Sequence, residues 1–146
     1  MPNLIDALTA ETKKNAVVDD CLALIDAEVA AKSGLMGFAI KAGYKTIQGI
    51  KPGFVRNVVV DVLPEFAGAL DPLYQDAKAK GRTATDLFNA NPSRVAEALL
   101  SITDEKARRS NSGLVKGTYE KLRGTAQRNV EAAVPRLGSL VDKHAP

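Results

Sequence analysis

Eight apolar side chains toward the end of the chain recur at helical intervals. Val115, Tyr119, Leu122, Ala126, Val130, Ala133, Leu137 and Leu140 are spaced 4, 3, 4, 4, 3, 4 and 3 residues apart. At 100° per residue they fall within an arc of about 80°, so the spacing predicts one long helix over residues 112–144 with a single apolar stripe. Such a stripe must be covered, and covering it is the first demand on the rest of the chain. Length is the second. A helix over those residues would span about 50 Å, whereas a compact chain of this size is roughly 38 Å across. Pro135 removes an amide donor and crowds the carbonyl of Glu131, so a kink or break is expected near Val134.

Opposite the stripe lie Gly113, Gly117, Gly124 and Gly138, with Glu120, Glu131 and Asp142 among them. Each glycine costs a helix about 1 kcal/mol relative to alanine. Two readings fit. Missing side chains let another backbone approach closely, from within the chain or from a second subunit. Alternatively, the glycines are exposed and tolerated because the apolar stripe holds the helix.

The preceding chain also reads as helices. Asn3 can cap a first turn carrying Leu4, Ile5 and Leu8. Residues 11–32 place Val18, Leu22, Ile25 and Val29 on one face, with Cys21 among apolar neighbours as a small packing residue. Ser33 and Gly34 end that helix and cap the next. Residues 34–50 show a broad apolar arc of Leu35, Met36, Ala39, Ile40, Gly43, Ile47 and Ile50 opposite Lys41, Lys45 and Gln48. That pattern suits an interfacial membrane helix, but a core helix gives the same pattern, and two lysines on the polar face are few.

Val55, Val59, Val62, Phe66, Leu70, Leu73 and Ala77 repeat the 4-3-4 spacing, so the valine-rich stretch after Gly53 reads as helix rather than strand. Pro64 and Pro72 are expected to interrupt it, with Asp71 as an N-cap, and Gly81 to end it. Thr83–Asp86 resembles a capping box. Asn91-Pro92 opens a helix with Val95, Ala96, Leu99 and Leu100, and Thr103 is expected to cap another. The fold class is therefore all-α: one domain over residues 1–146, an irregular multi-helix bundle. Four longer helices are expected, with short ones between the third and the last, which is long and Pro-kinked.

Charge alternates in blocks. Residues 32–56 carry five basic groups and no acid, residues 106–146 carry nine basic and three acidic, and the blocks between are net acidic. Antiparallel neighbours attracting one another would explain this. Lys41, Lys45, Lys116, Lys121, Arg123 and Arg128 could also merge into one patch for an anionic partner. Arginines and lysines spread over both flanks of the last helix, together with scarce aromatics, argue against nucleic acid.

Common catalytic arrangements are missing from the sequence. The single histidine, His144, lies near the terminus, where disorder is the default. One cysteine gives no disulfide framework. Gly113 to Thr118 departs from phosphate-loop spacing. No cofactor and no metal site is expected, nor an enzyme. The start of the chain has no signal-peptide pattern, and no run of residues is long and apolar enough for a membrane span, so a cytoplasmic location is expected.

Lys32-Ser33-Gly34-Leu35, Leu63-Pro64 with Phe66, Ala69-Leu70-Asp71-Pro72, Leu99-Leu100 with Thr103-Asp104, Tyr119 with Leu122-Arg123-Gly124, and Pro135-Arg136-Leu137-Gly138 resemble a family of small uncharacterised bacterial proteins. The resemblance covers nearly the whole chain and transfers no ligand or catalytic residue. The expected role is a helical module for binding a protein partner or for self-association, with an apolar-ligand carrier or a binder of anionic surfaces as alternatives.

Overall fold

A computed structural model describes residues 3–146, except for the side chain of Met36. The reading of the N-terminus as free of a targeting pattern rests partly on Met1 and Pro2, and the apolar arc partly on Met36; these lie outside the described residues. Seven helices are formed, and no strand occurs among the described residues: α1 (Leu4–Thr9), α2 (Lys14–Ala31), α3 (Gly34–Gln48), α4 (Phe54–Ala79), α5 (Ala84–Ala90), α6 (Pro92–Arg109) and α7 (Gly113–His144). The chain is thus all-α, with the long C-terminal helix.

Local signals set most boundaries. Asn3 Oδ1 accepts from the Asp6 amide at 2.7 Å, Thr83 Oγ1 from the Asp86 amide at 3.0 Å, and Ser112 Oγ from the Val115 amide at 3.2 Å. Each cap satisfies an amide that has no partner inside its helix. Gly34 (φ 72°), the first residue of α3, and Gly53 (φ 74°), just before α4, take the left-handed conformation, where a side chain would be strained.

Several expectations about helix ends are corrected. α4 runs unbroken through Pro64 and Pro72. Both prolines lie on its exposed side, where water can serve the carbonyls of Val60 and Gly68 that lose their amide partners. Asp71 consequently caps no new helix; its Oδ1 accepts from the Leu4 amide at 2.8 Å and so caps α1. Thr103 likewise starts nothing. It sits inside α6, where Oγ1 meets the Leu100 carbonyl (3.2 Å) and the Tyr119 hydroxyl (2.7 Å). Only α5 is therefore short between α4 and α7. Pro135 also lies inside a continuous helix: it offers the Glu131 carbonyl no amide, but it does not end α7.

α7 is the spine. It runs antiparallel to α6, pairing Glu131 with Ser93 and Tyr119 with Thr103. It also runs antiparallel to α2, pairing Arg136 with Glu28 and His144 with Asp20. The burial is concentrated at its C-terminal end, in Val134, Gly138, Leu140, Val141 and His144; the stripe from Val115 to Ala133 is only half-buried. The buried core joins Leu4 and Leu8 of α1, Val17 and Val18 of α2, Val59 to Ala77 of α4, Leu87 and Phe88 of α5, Val95 of α6 and the end of α7. Burying a Val, Leu or Phe side chain stabilises by about 1.5–3 kcal/mol, so this cluster dominates the favourable side of folding. Among the described residues, α3 adds no side chain to it.

Gly138 is where α5 and α7 meet. A Cβ there would stand 2.7 Å from Thr85 Cα, whereas a Cβ at Gly117 would meet nothing within 4 Å. Gly138→Ala should therefore lower unfolding stability by about 1–3 kcal/mol through overpacking against backbone. Gly117→Ala should raise it by about 0.5–1 kcal/mol. Urea titrations of the two variants beside the parent check both signs.

Candidate functional site

The candidate surface is the outer face of α3, and its position follows from how α3 is attached. A tight turn at Ser33 and Gly34 separates α2 from α3, and a Cβ at Gly37 would fall 2.6 Å from the Lys32 carbonyl carbon. Only glycine lets the first turn of α3 sit so close to the end of α2. Gly43 lies against Leu122 of α7, 3.0 Å from Cδ1 to a would-be Cβ. The Tyr44 hydroxyl donates to Asp26 Oδ1 of α2 at 2.7 Å. Ile40 and Ile47 are half-buried on this inner side.

The opposite side faces solvent. Leu35 is 92% exposed and Phe38 75%, and Ala39 and Ala42 are exposed beside them. Leu35 and Ala39 therefore leave the single arc that periodicity suggested; α3 carries an inner and an outer apolar face. At 100° per residue Lys41 and Lys45 fall about 60° and 20° from Phe38 on its polar flank. Lys32 is held by Glu28 (3.4 Å) and Arg56 by Asp19 (2.7 Å). Lys41, Lys45 and Lys51 make no ion pair among the described residues.

Next to α3 a hollow of about 340 Å³ opens between α2 and the start of α4, lined by Leu22, Asp26, Tyr44, Gln48, Phe54 and Arg56. Its polar groups are already engaged: Tyr44 with Asp26, and Arg56 with Asp19. Burial, then the Asp26 carboxylate, pushes the Tyr44 hydroxyl up to about 12, so it stays protonated near neutrality.

The residues singled out by sequence differ in their surroundings. Gly113, Gly117 and Gly124 have nothing within 4 Å of a would-be Cβ, whereas Gly138 is buried against Thr85 and so leaves that open face. Lys116, Lys121 and Arg128 are exposed along α7. Lys121 and Arg128 are about 20° apart around the helix, with Lys116 about 140° from Lys121. Arg123 is committed to Asp104, through Nε at 2.7 Å and Nη2 at 3.2 Å. Tyr119 donates to the same carboxylate at 2.5 Å; burial, then that bond, pushes its hydroxyl up to about 12. Arg123, then Tyr119, hold Asp104 below its ordinary value.

Sequence reasoning missed the other polar cluster. His144, expected in a disordered end, is 7% exposed. Its Nε2 meets Asp20 Oδ2 at 2.6 Å, and Lys143 Nζ meets the same oxygen at 2.8 Å. Lys143, then His144, hold the Asp20 carboxyl below its usual range. The ionised carboxylate can only accept, so Nε2 carries the hydrogen. Lys13 Nζ donates to the His144 carbonyl at 3.0 Å, tying the α2 start to the same corner. Cys21 follows Asp20 in α2; burial, and then the Asp20 charge, push its thiol up to about 11, which suits a packing role rather than a reactive one. No signal in the sequence marks the pairing, because its partners are far apart along the chain.

Both depressed carboxylates fix a pH dependence. Each binds its proton less readily folded than unfolded, so each contributes stability that is present above its ordinary value near 4 and lost as pH falls through the lower folded value. An Asp20→Asn, Asp104→Asn double variant should be less stable than the parent at pH 7. It should lose stability more gradually below about pH 4 and approach the parent near about pH 2. Urea unfolding across that range measures it.

No three His, Cys, Asp or Glu side chains converge to hold a metal ion among the described residues, and no helix there is long and apolar enough to cross a membrane. No curated protein matches the chain, and no solved structure does. The model of one family does match, over residues 4–145: the chain belongs to DUF6918, a family of unknown function.

Proposed function

We propose that this chain is a non-enzymatic helical docking module, and that α3 is the element it presents. One observation carries the reading: Leu35 and Phe38, one turn apart on one helix, are 92% and 75% exposed. Single exposed apolar residues are ordinary on protein surfaces, whereas a contiguous apolar face marks a contact site. The helix bearing that face gives no described side chain to the buried core cluster, and Leu35 and Phe38 point away from the inner side that packs on α2 and α7, so packing does not account for the apolar content of the outer face. The supports on its inner side, Gly43 on Leu122 and Tyr44 on Asp26, hold the outer face in place.

A second reading rests on α7. The open glycines Gly113, Gly117 and Gly124 lie beside Leu114, which is 53% exposed, and a second copy could approach there. The two surfaces separate by mutation. If α3 docks, Leu35→Ser with Phe38→Ser should abolish concentration-dependent or partner-dependent association at least 10-fold. Gly117→Leu with Gly124→Leu should then leave that association unchanged. Native mass spectrometry and sedimentation velocity read both, with circular dichroism to show that the fold is kept. Association lost only in the glycine pair moves the site to α7; association indifferent to both pairs removes both surfaces.

A further inference from the structure

Resting on the docking reading of α3, we propose that the partner of this face is an anionic lipid surface, against which α3 lies in the plane of the headgroups. The chemistry of the face selects it. Leu35, Phe38, Ala39 and Ala42 form the apolar side, and Lys41 and Lys45 border it, placed to lay their stems along apolar surface and their ammonium groups in the headgroup layer. Lys51, three residues beyond the end of α3, is exposed as well. Residues 32–56 contain no acidic side chain. The two cations there that meet carboxylates, Lys32 and Arg56, do so inside the chain; Lys41 and Lys45, which border the apolar face, meet none among the described residues. Two unneutralised positive charges, Lys41 and Lys45, thus lie beside the exposed apolar side chains.

Size decides between lipid and protein. A specific protein interface buries about 800 Å² on each partner around a well-filled centre, and two large side chains flanked by alanines are a small basis for one. A lipid surface sets no such threshold. Each inserted side chain and each lysine near an anionic headgroup adds independently, and the electrostatic share falls with salt. The mounting of α3 fits as well. Its inner face is seated on α2 and α7 through Asp26 and Leu122, so the outer face is offered as a plane, and contact requires no unfolding.

The chain has no tryptophan, which makes a local reporter clean. Phe38→Trp should show a blue-shifted emission when vesicles of phosphatidylcholine with phosphatidylglycerol are added, and none with phosphatidylcholine alone. Val58→Trp, at an exposed position on α4, should show no shift with either. In flotation assays the unmodified chain should bind the anionic vesicles at least 10-fold better than the neutral ones, with binding weakened as salt rises. Leu35→Ser with Phe38→Ser should reduce that binding at least 10-fold. Lys41→Gln with Lys45→Gln should reduce it several-fold and flatten the salt dependence, and Lys41→Arg with Lys45→Arg should restore it. Equal binding to both vesicle types, or a shift at Val58→Trp and none at Phe38→Trp, overturns the proposal. No vesicle binding alongside self-association that depends on Leu35 and Phe38 overturns the lipid partner while leaving docking through α3 intact. Neither vesicle binding nor association removes both.

Discussion

The close approach of α5 to α7 is the constraint on which the architecture turns. Gly138 offers no side chain, so the Thr85 backbone can come within reach. One turn further along α7, Asp142 then lies at the start of α5. Its Oδ1 accepts from the Ala84 amide at 2.8 Å, and its Oδ2 from the Thr85 amide at 3.1 Å and the Thr85 hydroxyl at 2.6 Å. A carboxylate at a helix N-terminus satisfies amides without internal partners and complements the helix dipole. Steric permission and electrostatic lock thus come from one face of one helix. With α5 fixed there, Leu87 and Phe88 are delivered to the core, where Phe88 is fully buried.

The same end of α7 gathers α1 and α2. His144 and Lys143 hold Asp20, and the His144 carbonyl receives Lys13. The opposite half of α7 is supported by α6 and α3 and stays half-buried. The chain is therefore built unevenly: a dry core at one end of the spine, and at the other a thinner assembly whose surfaces remain available. α3 belongs to the second region. Its outward residues are free of packing duty because its inward ones meet α7 and α2 through a glycine and a tyrosine.

Helical class, most boundaries and the dominance of α7 were legible in the sequence, because 4-3 spacing and short-range caps are local. Asn3, Thr83 and Ser112 act within three residues of themselves. The failures share one cause. Asp71 looked like a cap for its own helix because Pro72 follows it, but its partner is the Leu4 amide, 67 residues away. Pro64 and Pro72 read as breaks because a sequence does not say which side of a helix meets water. Thr103 had the composition of a cap, yet tertiary bonds to Tyr119 kept it inside α6. The candidate site was legible only in part. Lys41 and Lys45 stood out, but Leu35 was grouped with the packing arc and Phe38 with nothing, since two apolar faces on one helix blur into one broad arc. Among the glycines, sequence could not separate Gly138, which is covered, from Gly113, Gly117 and Gly124, which are not.

The distribution of the core along the chain has a consequence for how this protein is made. Leu4, Leu8, Val17 and Val18 are buried in one cluster with Leu70 and Leu73 of α4 and with Val134, Leu140 and Val141 of α7, so the cover that α4 begins to give the first helices is completed only by the last helix. Contacts between distant parts of a chain form late, because the entropy of closing a long loop comes before any reward. α1, α2 and α4 can pack on one another as soon as α4 is made, but the side of that cluster that α5 and α7 close stays open until the last helix is in place.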